Sequence, residues 1–243
     1  MIKLSERLSH LADMVSNGAV LADVGTDHGY IPIYLLQSGK IPKAFAMDIR
    51  KDPLQRAKEH TAAFGLGDYI TFRLSDGVAG LLEGEADCIL IAGMGGNVML
   101  HILQEGEAVI RSAKELVLQP QSDISGVREY LYRKGGYCID REDMVLEEGK
   151  YYPMMHVTIE KDLVNHKQRE AYSGEEWQVV YRYGECLLNQ RQGVLQDYLR
   201  YKMGTYEKIL EELENRAGEA VQLRRQEVLA EIGFVERAFQ WGG

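Results

Sequence analysis

The sequence predicts an α/β fold, a mainly parallel sheet with helices on both faces, followed by a separate antiparallel pair of helices. Three observations predict it. From residue 20 to about 160, short apolar runs alternate with amphipathic stretches long enough for crossover helices. After Gly135-Gly136 that alternation gives way to Tyr137–Val145, a Glu147-Glu148-Gly149-Lys150 turn and Tyr151–Glu160, a hairpin signal that makes the last strand antiparallel. Beyond residue 162 the apolar positions recur at helical spacing.

The chain opens with a helix that places Leu4, Leu8, Leu11 and Val15 on one face and closes at Asn17-Gly18. Val20–Val24, Ala44–Met47, Ile70–Leu74, Cys88–Ala92 and Leu116–Leu118 are brief apolar runs and read as strands. Tyr30–Ser38, Asp52–Phe64, Asn97–Ser112 and Ile124–Lys134 supply the helices between them. In the tail, Leu188, Leu195, Leu199, Tyr206, Ile209 and Leu213 form one helical seam, interrupted by Lys202. Val221, Val228, Ile232, Val235 and Phe239 form a second. Asn215-Arg216-Ala217-Gly218 is the turn between them, so a coiled-coil hairpin is expected. Domains are placed at 1–162 and 163–243.

Of the 243 residues, 45% are hydrophobic and 27% charged, which supports a full core and excludes disorder. No apolar run approaches the roughly 20 residues that span a bilayer, and Met1–Arg7 lacks the apolar core of a signal peptide. A soluble, cytoplasmic protein with no membrane role is expected. Cys88, Cys138 and Cys186 lie 50 and 48 residues apart, which argues against a disulfide scaffold and a cysteine zinc site, so no metal is expected. The net charge of −9 argues against indiscriminate coating of nucleic acid. Within 182–206, however, Arg182, Arg191, Arg200 and Lys202 outnumber Glu185 and Asp197. From charge alone this is a solvated helix face.

The chemistry-bearing residues cluster where strands end. Ala22-Asp23-Val24-Gly25-Thr26-Asp27-His28-Gly29-Tyr30 follows the first strand, and glycine there lets the backbone approach a ligand closely. A dinucleotide fingerprint counted from Gly25 would need glycine where Asp27 and Tyr30 stand, and a carboxylate would repel a pyrophosphate. A cofactor bearing a sulfonium and an ammonium would instead favour Asp23 and Asp27, which points to S-adenosylmethionine. Asp48, followed by Ile49, closes the second strand, where an acid accepts both ribose hydroxyls. Asp76-Gly77 closes the third, where an acid accepts from an adenine amino group. Each acid alone could be an ordinary turn or cap residue; three on successive strands favour a cofactor. Gly93-Met94-Gly95-Gly96-Asn97 after the fourth strand forms a bare shelf for a flat base, with Asn97 as an alternative helix cap. Gln119, Pro120 and Gln121 end the fifth strand on the same edge, where amides could read a substrate. His28 is the one histidine placed in the active loop; His10, His60, His101, His156 and His166 are assigned to surface or packing.

These stretches together resemble the TrmK family of bacterial tRNA adenine-N1 methyltransferases that modify position 22 in the D-arm. The resemblance rests on Asp-Val-Gly-Thr-Asp-His-x-Tyr-x-Pro within Ala22–Pro32, on Ala-Gly-Met-Gly-Gly within Ile91–Gly96, and on Leu118–Pro120. Leu4–Val15 with Asn17-Gly18, Arg128–Tyr132 and the tail from Tyr183-Gly184 match as well, so it spans essentially the whole chain. Relatives often carry Asn where this chain has Gln121. The resemblance implies a class I (Rossmann-like) methyltransferase sheet, S-adenosylmethionine as donor, and a tail that helps hold tRNA.

Adenine N1 attacks through an in-plane lone pair, so alignment matters more than a general base. Asp27 is expected to stabilise the cationic product base, with His28 and Tyr30 positioning base or cofactor. Asp23, Gly25, Thr26, Asp48, Ile49, Asp76, Gly77, Gly93 and Met94 are the expected donor site. Gly95, Gly96, Gln119, Pro120 and Gln121 are the expected base site. Arg182, Arg191, Arg200 and Lys202 are expected on the first tail helix, facing the same side as Arg50, Lys51, Arg56 and Lys58, to contact phosphates. The protein is expected to be a monomer or a homodimer through its C-terminal helices. Two rival readings are a small-molecule methyltransferase with a dimerising hairpin and a non-catalytic binding module on a nucleotide fold.

Overall fold

A computed structural model describes residues 1–160, 172–191, 193–214 and 216–242. The chain divides into two compact units, Met1–His166 and Lys167–Gly243. The boundary expected at 162/163 lies outside the described residues.

The first unit is built on a seven-stranded sheet in the order β3-β2-β1-β4-β5-β7-β6. Its strands are β1 Leu21–Val24, β2 Ala44–Asp48, β3 Ile70–Leu74, β4 Cys88–Met94, β5 Glu115–Pro120, β6 Tyr137–Glu147 and β7 Lys150–Ile159. The first five pair in parallel, and β7 runs antiparallel to both β5 and β6. All residues of β1, β2 and β5 are buried, as expected of central strands covered on both faces. Strand order reverses between β1 and β4, and such a switch point opens a crevice beyond the strands' C-terminal ends.

Helix α1 is Glu6–Met14, with Ser5 as its N-cap, so Leu4 precedes the helix and packs on the core from outside it. Helices α2 Tyr30–Gln37, α3 Lys51–Ala63 and α6 Ile124–Lys134 lie close to their expected positions. The helix expected over 97–112 is two, α4 Gly96–Glu105 and α5 Glu107–Ser112. Gly106 between them is closely packed: a Cβ there would sit 2.1 Å from Val78 Cγ2. Gly95, not Asn97, occupies the N-cap of α4. Arg128 on α6 and Glu142 on β6 form a buried ion pair of 2.7 Å that ties the hairpin to the helical layer.

The second unit contains four described helices, not two: α7 Gly174–Tyr183, α8 Glu185–Gln190, α9 Gly193–Glu214 and α10 Glu219–Phe239. Ser173 and Glu176 form a capping box that starts α7. Leu188 belongs to the short α8, ahead of the long seam. Leu195, Leu199 and Tyr206 are buried on α9, and Val228, Val235 and Ala238 on α10. Tyr206 donates its hydroxyl proton to Glu231 at 3.2 Å, joining α9 to α10. At the end of α10, Ala238 takes the buried position expected of Phe239, which is exposed.

Candidate active site

The loop between β1 and α2 turns at Gly25, φ +80°, and the Gly25 and Thr26 amides both donate to the Met47 carbonyl at 2.8 Å. Those bonds lock the loop onto β2. The left-handed conformation is what calls for glycine at this position; the tip of the flexible Met94 side chain fills the space where a Cβ would stand, 2.2 Å from Cε. Gly29, φ +68°, opens α2 without a side-chain cap.

Asp23 is buried and accepts from Thr26 Oγ1 at 2.5 Å. Burial pushes its carboxyl up to about 6; the Thr26 hydroxyl partly offsets this, and the nearby Asp48 charge adds to it. Asp48 is also buried and accepts from the Arg50 amide at 2.7 Å. Asp27 stands at the surface, bonded to Arg56 Nη2 at 2.5 Å and 3.4 Å from His28 Nε2. The Arg56 hydrogen bond holds its carboxyl below the usual range.

These groups enclose a cavity of about 440 Å³ at the C-terminal edge of β1 and β4. Asp23, Asp27 and Asp48 give it three carboxylates. Arg7, His28 and Tyr30 form further walls, and Gly93 and Gln121 reach it from the β4 and β5 ends. Arg7 is clamped in place: Nη1 donates to Gln119 Oε1 at 3.1 Å, Nε lies 3.5 Å from Glu147 Oε2, and the guanidinium covers the Tyr152 ring at 5.0 Å. Arg50, 74% exposed, lines it as well, 3.7 Å from Asp48 Oδ1. Three carboxylates beside the clamped Arg7 suit a ligand with two positive groups and one carboxylate.

The family model described as a methyltransferase domain matches residues 4–155. Over 154 residues the chain is 40% identical to the tRNA (adenine(22)-N(1))-methyltransferase of Bacillus subtilis, a match covering 63% of this chain and 64% of that protein's length. The crystal structure of the B. subtilis M1A22 tRNA methyltransferase TrmK has a TM-score of 0.84 at 29% identity, covering 98% of this chain and 99% of that one. A Streptococcus pneumoniae protein crystallised in complex with S-adenosyl-L-methionine has a TM-score of 0.82 at 30% identity, covering 97% and 99%. The chain belongs to the TrmK family of methyltransferases.

In this TrmK-family chain the residues expected from sequence are not all brought together. Asp76 and Gly77 line a separate cavity of about 290 Å³ with His101, Ile102 and Glu105. Ile49 is 61% exposed and lies outside the wall. Met94 packs over Gly25. Of the glycine shelf, only Gly93 faces the cavity. Gly96 is buried, and a Cβ there would meet the Ser122 carbonyl oxygen at 2.4 Å, so this glycine serves backbone packing and not a base. A Cβ on Gly95 would come within 3.1 Å of Ser122 Oγ. Gln119 is fully buried, accepting from Arg7 and the Gly93 amide and donating to the Pro120 carbonyl, so it cannot read a substrate. Pro120 is buried beside it, while Gln121 remains exposed.

The four tail cations do not form one free face. Arg182 lies on α7, paired with Glu231 at 2.7 Å and stacked 4.1 Å over Phe234. Arg191, φ +48°, follows α8 and bonds the Trp241 carbonyl at 2.5 Å. Lys202 is half-buried over the Tyr206 ring, and its desolvation lowers its pKa. Arg200 is exposed, paired with Asp197 at 2.8 Å. The first three hold the helical unit together.

Sequence reasoning missed Arg7 and His60, and expected Arg56 to contact phosphate where the structure pairs it with Asp27. His60 on α3 forms a triangle of near-parallel rings with His28 and Tyr30, with centroids 5.1 to 5.5 Å apart. His156, also assigned to packing, sits at the opposite edge of the sheet between Glu115 and Asp140, at 3.1 and 2.5 Å.

Among the described residues no helix is long and apolar enough to cross a membrane.

Proposed function

We propose that this chain transfers the methyl group of S-adenosylmethionine to N1 of an adenine in tRNA, at position 22 of the D-arm. The observation that carries it is the C-terminal cavity, whose three carboxylates and clamped arginine match the charges of that donor. Family membership and the activity named for the B. subtilis relative support the choice of tRNA.

Asp23 is the group for the donor's ammonium, Arg7 for its carboxylate and Asp48 for its ribose hydroxyls. Asp76 and Gly77, expected at its base, line the separate cavity. When bound, the donor supplies an electrophilic methyl on sulfonium. Everything else falls to the chain. His28 and Tyr30 face the cavity with ring surfaces on which a purine can stack. The target adenine must be splayed from any duplex before N1 is free, and stacking on such rings offsets that cost. N1 needs no base, because its lone pair is available at neutral pH. Methylation leaves the ring cationic, and Asp27, kept ionised by Arg56, is the carboxylate placed to stabilise that charge as it develops. Phosphate contacts fall to exposed cations of each unit, Arg50, Lys51 and Lys58 in the first and Arg200 in the second.

Incubating unmodified tRNA with the protein and methyl-labelled donor, then mapping the modified nucleoside, tests this. Label in 1-methyladenosine at position 22 is the expected result. Label in any other nucleoside, or none, overturns it.

A further inference from the structure

We propose that His60 is a positioning residue for methyl transfer: from α3 it holds the rings of His28 and Tyr30 in the plane that receives the target adenine. The proposal rests on the tRNA-adenine function above and deepens it. Helix α3 seats the active loop residue by residue. Arg56 bonds Asp27. Ala57 Cβ lies 3.4 Å from where a Cβ on Gly29 would stand, so the loop backbone lies directly on the helix. One turn further on, His60 Nδ1 is 3.2 Å from the His28 carbonyl oxygen. A carbonyl only accepts, so Nδ1 carries the proton and donates. That bond orients the imidazole, and the oriented ring lies 5.2 Å from His28 at 23° and 5.5 Å from Tyr30 at 14°.

The outcome is a three-ring array on two elements, the loop rings at the cavity and the third ring behind them on the helix. Offset parallel packing at these distances is attractive, and it fixes ring planes more tightly than apolar contact alone. A base lifted out of a stack must meet a surface already flat and already aligned, because misplacement of about 1 Å at the reacting atoms costs rate steeply. His60 does not line the cavity, so it acts through His28 and Tyr30.

The full chain is compared with His60→Ala, His60→Phe and His60→Asn, the last keeping a donor near the Nδ1 position without the ring. Each is assayed for kcat and KM with tRNA, for donor affinity by calorimetry and for thermal midpoint. The expected result is a fall of about tenfold or more in kcat/KM for tRNA with His60→Ala, donor affinity within about twofold of wild type, and recovery by His60→Phe but not by His60→Asn. Unchanged kcat/KM in His60→Ala overturns the proposal. So does an equal loss of donor affinity, or a lowered thermal midpoint that tracks activity across all three variants. Rescue by His60→Asn alone also overturns it, by assigning the effect to the loop hydrogen bond. If the wild type itself makes no 1-methyladenosine, the proposed function fails and this proposal fails with it; variants that match an active wild type sink this proposal alone.

Discussion

Arg56 and Asp27, 29 residues apart, meet at 2.5 Å on the rim of the cavity, each about half-exposed. The pair keeps a carboxylate charged beside the place where a base becomes cationic. Asp27→Asn removes that charge and keeps the shape. Turnover with tRNA is expected to fall about a hundredfold, the scale on which a single preorganised electrostatic group acts. Donor affinity, measured by calorimetry, should stay within about threefold. Equal losses in both would make Asp27 a binding residue.

Asp23 predicts a pH dependence of its own. Burial, only partly offset by Thr26, raises its folded pKa to about 6 from 3.8. Folding therefore favours the protonated form, and the ionised group costs stability that sets in as pH rises from 3.8 to about 6. A bound ammonium reverses that preference. Donor affinity should thus be constant above about pH 7 and weaken below 6, approaching tenfold per pH unit, with proton release on binding near pH 6. Calorimetry in buffers of different ionisation enthalpy measures both. In Asp23→Asn the affinity should be low and flat with pH; a wild-type slope in that variant would remove Asp23 from the donor site.

The strands and the acids at their ends were legible because buried parallel strands leave continuous apolar runs, and Asp23, Asp48 and Asp76 interrupt or close them at visible spacing. Arg7 and His60 were not, and Arg56 was legible as a cation but not as the partner of Asp27. Each sits on an amphipathic helix, where a polar residue at helical spacing looks like any solvated position. Their roles come from partners 112, 29 and 32 residues away. The tail shows the same limit with opposite effect. Arg182 counts as free charge in the sequence, yet Glu231, 49 residues on, neutralises it. Gln119 looks free in the sequence, but Arg7 and the Gly93 amide, 112 and 26 residues away, already occupy its side-chain oxygen. Ser173 and Glu176, three residues apart, carry a capping-box pattern that is visible in the sequence and marks the start of α7.

His156 and Glu115 make a second pH prediction, this one for stability. Burial disfavours the His156 charge, but hydrogen bonds with Glu115 and Asp140 outweigh it and raise its folded pKa. Burial likewise disfavours ionised Glu115, yet bonds from His156 and Ser16 bring it down to about 2. The histidine contribution is complete below its unfolded pKa of about 6.5 and is lost as pH rises through the higher folded value. The glutamate contribution is complete above 4.5 and is lost as pH falls towards 2. The stability deficit of His156→Gln, from urea unfolding, should therefore be largest between about pH 4.5 and 6.5 and shrink on both sides. A deficit independent of pH would show that the ionic network contributes nothing.

The division of the chain into two compact units locates the truncation that tests the tail. Cutting at 184 would leave α7 behind, with Val179 and Val180 stripped of the helices that bury them and Arg182 without Glu231. Cutting after His166 removes the helical unit whole and leaves the sheet and cavity intact. Residues 1–166 should bind the methyl donor within about threefold of the full chain and lose at least a hundredfold in kcat/KM for tRNA. The two effects separate because donor-site charges all lie before residue 150, whereas a large polyanion gains affinity from each added phosphate contact. Full-chain binding to tRNA should also weaken linearly in the logarithm of salt, with a shallower slope for 1–166 in proportion to the contacts removed. Equal slopes and equal methylation by the two chains would leave the helical unit with no part in holding tRNA.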